Sequence, residues 1–239
     1  MTDFDEMMPY LKGEKFDNAK RFTYNFSDNP LAGREELIVD LIRGKKAIHV
    51  GCVDHVELLK QKIDEKTWLH GMMMDATTRC LGVDINCEGI SLLKQEFKID
   101  DLVCHDITSE NKSAEIESDH WDYVVLGEVL EHIDNPVHFL SSIRKNYKGK
   151  IDRIIVSVPN AFKISNFKRV RKNAEEINTD HRYWFTPFTL AKILVDSGYK
   201  PEKLLMELNG KVRNRGIIHR MILRKYPLLR DGLMIIGSL

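Results

Sequence analysis

The sequence predicts a doubly wound α/β fold, and three observations carry that expectation. Five segments (KKAIHVG, RCLGVDI, DDLVCHDI, DYVVLGE and RIIVSVPN) each hold a short, mostly apolar run followed by an acid, a glycine or a proline. They lack polar alternation, as strands buried on both faces of a parallel sheet do. Helical patterns lie between them, and strands alternating with helices imply a sheet covered on both sides. The length, 239 residues with 43% hydrophobic and 30% charged, suits one such domain with small additions. Its 36 basic residues balance 36 acidic ones. A zero net charge argues against a wholesale polyanion binder, which normally carries a basic excess.

Taken in order, residues 1–33 are polar and broken by Gly13, Pro30 and Gly33, and read as an arm or lid; Glu35–Ile42 reads as a short helix, closing an N-terminal unit at 1–44. The strand runs start at Lys46. Asn86 is placed to cap a helix with Ile90, Leu93 and Phe97 inward. Asn135-Pro136 opens another, with Val137, Leu140, Ile143 and Tyr147 inward, because proline suits the first helical position. Thr186-Pro187 opens a third, ended by Gly198. LLMEL and IIHRMIL, separated by NGKVRNRG, read as a closing antiparallel hairpin, which bounds the main domain at 45–224 and leaves 225–239 as a tail. The methionines of Gly71-Met-Met-Met-Asp75 read as core filling. Cys52, Cys80, Cys87 and Cys104 form no Cys-x-x-Cys pair, against a zinc ribbon or disulfide framework and in keeping with a reducing compartment. The N-terminus lacks a signal-peptide pattern, and the best apolar run, Gly232–Leu239, is far below the ~18 residues of a membrane span. The expected location is cytoplasmic.

Ligands of open parallel sheets bind beyond the carboxyl ends of the strands. Here those ends carry Gly51-Cys52-Val53-Asp54-His55, Asp84-Ile85, Asp106-Ile107 and Gly127-Glu128. Glycine after the first strand lets the backbone approach a ligand closely. A carboxylate ending the second strand can accept from two ribose hydroxyls, and one after the third from an exocyclic amine. Together they suggest a nucleoside pocket. The first loop has one glycine where a dinucleotide fingerprint needs three, and no phosphate-cradling G-x-x-x-x-G-K-[ST] occurs.

The series IHVGC, CLGVDI, VCHDI, WDYVVLGEVLEHIDNP and RIIVSVPN, followed by DHRYWFTPFTLAKILVDSGY, resembles the class I S-adenosylmethionine-dependent methyltransferases, with GEVLEHIDNP the most specific part. The resemblance implies a Rossmann-like, seven-stranded, mostly parallel sheet with the last strand antiparallel, and S-adenosylmethionine as cofactor. It implies that Val50, Gly51, Cys52 and His55 flank the methionine portion, that Asp84 and Ile85 meet the ribose, Asp106 and Ile107 the adenine, and Gly127 and Glu128 the sulfonium. Two features depart from the family pattern. G-x-G-x-G keeps only Gly51, and the acid two residues before it is His49.

Methyl transfer from a sulfonium is an in-line displacement, so positioning dominates, with deprotonation added for a hydroxyl acceptor. In a helical turn, Glu128, Glu131 and His132 would share one face. His181, in DHRYWF, is placed to return over the pocket. The four make a candidate site for Mg²⁺ or Mn²⁺. The arrangement resembles small-RNA 2′-O-methyltransferases and some ubiquinone-pathway O-methyltransferases, where an E-x-x-E-H run and a downstream His bind magnesium. The alternatives are that Glu128 touches only cofactor, that Glu131 pairs locally, and that His132 orients a loop or acts as general base. His132 and Glu131 are the candidate catalytic residues. Lys163, Lys168, Arg169, Arg171 and Lys172, interleaved with Phe162 and Phe167, read either as a phosphate grip or as a solvated face balanced by Glu175 and Glu176. No Asn/Asp-Pro-Pro-Tyr/Phe follows the fourth strand, which favours an oxygen acceptor. A saccharide or other small-molecule hydroxyl is the first expectation, and an RNA 2′-hydroxyl the second. A non-catalytic binding module on this fold is a third, motivated by the depleted glycine loop.

Overall fold

The computed structural model describes residues 3–54 and 56–239. In chain order the elements are α1 Met8–Leu11, α2 Arg34–Ile42, β1 Lys46–Val50, α3 Val56–Asp64, α4 Leu69–Ala76, β2 Arg79–Asp84, α5 Cys87–Glu96 and β3 Leu102–Cys104. They continue with α6 Ala114–Glu117, β4 Trp121–Gly127, α7 Pro136–Asn146, β5 Ile151–Pro159, α8 Ile164–Val170, α9 Pro187–Asp196, β6 Lys200–Glu207, α10 Ile217–Lys225 and β7 Gly232–Ser238. The seven strands form one sheet in the order β3-β2-β1-β4-β5-β7-β6. The first five are parallel, and β7 lies antiparallel between β5 and β6. Strand order reverses between β1 and β4, which puts the ligand crevice beyond Val50 and Gly127.

The strand pattern follows from two-sided burial. Ile48, Val124, Leu126, Ile154 and Val156 face a core layer that includes Leu140, Ile143 and Tyr147 of the α7 region and Leu190, Ala191 and Leu194 of α9. Their neighbours Ala47, Val125 and Ile155 face Leu37, Ile38 and Ile42 of α2 and Leu69 and Met73 of α4. The N-terminal arm is tied into the first layer through Phe4, Met7 and Leu11. The three sequence-read caps form: Asn86 accepts from the Gly89 N–H, Asn135 from that of His138, and Thr186 from that of Thr189. Each such cap is worth about 1 kcal/mol. Gly198 follows α9 with φ +87°, the left-handed conformation that favours glycine.

Three expectations are corrected. IIHRMIL is the helix α10, not a strand; the partner of β6 is β7, so residues 225–239 are no tail but contribute an interior strand. A strand covered on both faces needs an unbroken apolar run. GLMIIGS supplies one, whereas His219 and Arg220 interrupt 217–223. Cys87 and Cys104 form a disulfide, with Cα atoms 5.0 Å apart, joining the start of α5 to the end of β3. Parallel pairing of β2 with β3 brings them together, which no local spacing reveals. Of the three methionines in α4, only Met73 is fully buried; Met74 is exposed. Among the described residues no helix is long and apolar enough to cross a membrane.

Candidate active site

A cavity of about 740 Å³ opens at the strand-order reversal, within the usual range for small-molecule sites. Val50, Gly51 and Cys52 after β1, Asp84 and Ile85 after β2, Asp106 and Ile107 after β3, and Gly127 and Glu128 after β4 all line it. His55 lies outside the described residues.

The first loop turns on one glycine. Gly51 has φ +74°, and a Cβ there would lie 2.9 Å from Val129 Cγ2. The glycine missing at position 53 has a counterpart on α5. Val53 occupies space that a Cβ on Gly89 would enter, at 2.3 Å from Val53 Cγ1. Asp84, 8% exposed, ties two loops together: Oδ2 accepts from the Val53 N–H at 2.8 Å and Oδ1 from that of Asn86 at 2.9 Å. Each carboxylate oxygen has two lone pairs, so both keep capacity for a hydroxyl. Beside it Ile85 is 76% exposed, an apolar platform in the cavity wall. Asp106 Oδ1 closes its own turn by accepting from Thr108 N–H and Oγ1–H. Cys52 is a packing residue, its thiol pushed up by burial, and its carbonyl accepts from Trp68 Nε1 at 3.0 Å.

Near the end of β1, His49 is buried with Nδ1 3.3 Å from His70 Nδ1. Burial holds both imidazoles below their ordinary range, His70 at about 4. Charge here comes from Arg34, which the sequence reading missed. Arg34 lines the cavity and is ion-paired with Glu35 and Glu128. Its N–H donates to the Leu208 carbonyl at 3.0 Å. The attraction of Glu128, Glu35 and Glu207 outweighs desolvation and raises its pKa. Its place was legible in principle: a helix leading into β1 through a tight turn runs antiparallel to it, so its first residue lies at the carboxyl edge. Glu207, fully buried at the end of β6, is pushed well above the usual carboxylate range by desolvation.

The Glu128–His132 run does not form one helical turn. Glu128 leaves β4 with φ +56°, and only Leu130–His132 closes a 3₁₀ turn. Glu128 therefore turns to Arg34, while Glu131 is fully buried. Donor atoms of Glu131, His132 and His181 lie within 4.8 Å of one another, with His181 Nε2 4.0 Å from Glu131 Oε1. Three of the four sequence-suggested ligands thus converge, and Glu128 is not in the cluster. The His181 segment is held over this point by the Arg182 N–H donating to the Glu131 carbonyl at 2.8 Å and by Tyr183 Oη donating to the Asp134 carbonyl at 2.7 Å. Neither carboxylate oxygen of Glu131 has a hydrogen-bond partner. Desolvation, then the nearby charge of Glu128, pushes its carboxyl up to about 8. A buried carboxyl without hydrogen-bond partners is costly, and a divalent cation held by mixed oxygen and nitrogen donors would satisfy it. Of the basic segment, Arg169 pairs with Glu176 and Lys163 lies over the Trp184 ring at 4.7 Å, while Lys168, Arg171 and Lys172 are exposed.

Comparison with known proteins agrees with this fold. Residues 42–204 match the family model described as a methyltransferase domain. No curated protein matches the chain. Among solved structures, the small RNA methyltransferase HEN1 superposes with a TM-score of 0.58 at 16% identity, over 94% of this chain. This chain spans only 27% of that one. The methyltransferase domain of the bacterial protein CtHen1-CN superposes with a TM-score of 0.52 at 19% identity, over 86% of this chain and 97% of that one. A putative S-adenosylmethionine-dependent methyltransferase from Listeria monocytogenes does so at 0.51 and 12% identity, over 85% and 96%. At such identities the likeness is one of fold. The family match spans well over half of the residues, and the chain belongs to the methyltransferase domain family.

Proposed function

We propose that this protein transfers the methyl group of S-adenosylmethionine to one hydroxyl of a vicinal diol, with a divalent cation, Mg²⁺ or Mn²⁺, held beside the cofactor. The observation that carries this reading is the buried, unpartnered carboxylate of Glu131 converging with His132 and His181 at the cavity. Asp84 accepts from the ribose hydroxyls, Ile85 packs on the adenine beside Asp106 and Ile107, and Gly51 admits the methionine chain. Arg34 offers its guanidinium to the cofactor carboxylate, the charge that neutral His49 cannot supply. Glu131, His132 and His181 would hold the cation, which when bound lowers the pKa of an acceptor hydroxyl. The acceptor oxygen forms its bond to the methyl carbon as the carbon–sulfur bond breaks, and the hydroxyl proton leaves to a base. With its ring nitrogen on the cation His181 would not be that base, so the proton passes to water; burial together with His132 keeps His181 on the neutral side, the state a metal ligand needs.

A vicinal diol is common to saccharides and to the 3′-terminal ribose of RNA. The RNA reading is favoured by the HEN1 and CtHen1 structures, both described as methyltransferases of that kind or name. The test is methyl transfer to a saccharide panel and to an RNA with a free 3′-terminal diol, in EDTA and after Mn²⁺ or Mg²⁺ is added back. Activity only with cation is expected; full turnover in EDTA removes the metal from the reading. Absence of S-adenosylmethionine binding at millimolar concentration by calorimetry overturns the enzyme and leaves a binding module.

A further inference from the structure

The excursion between β6 and β7 has a one-sided charge. Asn209 to Arg230 holds seven Lys or Arg residues and no Asp or Glu, in a chain of zero net charge. Two are used internally: Arg230 is buried and donates to the Met206 and Pro30 carbonyls, and Arg215 pairs with Asp231. Lys211, Arg213, Arg224 and Lys225 are exposed and Arg220 is half-buried. Within this segment α10 packs on the body through Leu223 and turns Ile217, Ile218 and Met221 outward, 68%, 77% and 67% exposed. Single exposed apolar residues are ordinary on a surface. Three on one face of one helix, flanked by cations, are the pattern of a helix lying in a bilayer interface. Leu31, Val212, Ile217 and Met221 also line a groove of about 280 Å³, with Arg220 and Arg224 among its lining. An apolar floor with guanidinium groups beside it matches an acyl chain beneath a phosphate headgroup. The face and the groove are aliphatic and give no stacking platform for bases, and the exposed ring of Tyr226 at the end of α10 carries Lys225 Nζ over it at 5.3 Å, so this surface fits lipid better than single-stranded RNA, which stacks on successive aromatic rings.

The topology fixes the edge of the sheet from which this excursion leaves and to which it returns. β6 and β5 both run antiparallel to β7, so Glu207 and Gly232 lie at the carboxyl edge where the cavity opens. Leu208 exchanges backbone hydrogen bonds with Ala32 and Arg34, and Arg34 lines the cavity. At the same edge, after β5, α8 exposes Phe167 and Val170 beside Lys168. We propose that α10 and its flanking cations dock this protein on anionic lipid bilayers, with the cavity edge of the sheet towards the membrane. The proposal stands apart from the identity of the methyl acceptor.

The test is co-sedimentation of the full chain with vesicles of phosphatidylcholine alone and of phosphatidylcholine mixed in equal parts with phosphatidylglycerol. Binding is expected to the mixed vesicles only, and to weaken at high salt. A triple variant, Ile217→Gln, Ile218→Gln and Met221→Gln, is expected to partition at least about tenfold less with unchanged circular dichroism and cofactor binding. Arg224→Gln with Lys225→Gln should also weaken binding and flatten its salt dependence. No partition of the unsubstituted protein, or equal partition of the triple variant, overturns the proposal. So does a dimer in solution that the triple variant dissociates, since the apolar face would then belong to a second copy. Binding of an oligoribonucleotide through Arg224 and Lys225, without vesicle binding, overturns it in favour of nucleic acid.

Discussion

At the scale of single residues, the proposed cofactor site turns on Arg34 and Asp84, which would divide the cofactor between them. Asp84 is rigid because two backbone N–H groups hold it, so its oxygens are aimed before any ligand arrives. Arg34 is held by Glu35 and Glu128, with the buried Glu207 nearby. If Arg34 carries the methionyl carboxylate, Arg34→Met should weaken S-adenosylmethionine binding by about 1.5–3 kcal/mol, the usual worth of a hydrogen bond to a charged group. Calorimetry with 5′-deoxy-5′-methylthioadenosine separates this from a general disturbance, because that ligand has no carboxylate. The variant should bind it as the unsubstituted protein does; an equal loss for both ligands would refute the assignment.

At the scale of elements, packing between the first loop and α5 replaces a glycine pattern. Gly89→Ala would by helix propensity alone stabilise α5 by about 1 kcal/mol. The clash with Val53 should reverse that sign, costing about 1–3 kcal/mol and weakening cofactor binding. Adding Val53→Ala should recover most of both, as measured by denaturant unfolding and calorimetry; additive losses would show that the two side chains do not meet. Elements whose signals are local were legible in the sequence. Asn86, Asn135-Pro136 and Thr186-Pro187 each announce a helix start within a few residues, and the caps form. Elements decided by neighbours in space were not. Residues 217–223 and 232–238 are both short segments rich in apolar residues, and it is burial on both faces between β5 and β6 that selects the second, which lacks the polar pair His219-Arg220, as the strand. E-x-x-E-H is compatible with a helical turn, but the Glu128 N–H donates to the Ser157 carbonyl at 3.0 Å as β4 ends, and the turn starts later. The Cys87–Cys104 bond was hidden for the same reason: pairing of β2 with β3 brings its two segments together.

At the scale of the whole molecule, a neutral total conceals buried groups held out of their ordinary ionisation, and these set how stability depends on pH. Glu131, at about 8, and Glu207, well above 4.5, keep protons in the folded state that the unfolded chain releases. Their contribution is complete below the unfolded carboxyl value and is lost as pH rises through the folded one. His70, at about 4, and His49, well below 6.5, act in the opposite direction. Their contribution is present above 6.5 and is lost as pH falls towards 4. The two effects oppose each other between 4.5 and 6.5, so the clean window is from about 6.5 to about 8, where the acids dominate. In EDTA the melting temperature should fall across that window, with a slope of at most about 1.4 kcal/mol per pH unit for each carboxyl. A cation on Glu131 displaces its proton, so Mn²⁺ should raise the melting temperature more at the alkaline end than at the acid end. Glu207→Gln should flatten the slope in EDTA and leave the Mn²⁺ increment intact, whereas Glu131→Gln should abolish the increment. A melting temperature independent of pH over this window in EDTA would mean that neither carboxyl is held protonated, and the argument from a buried, unpartnered Glu131 to a cation would fail with it.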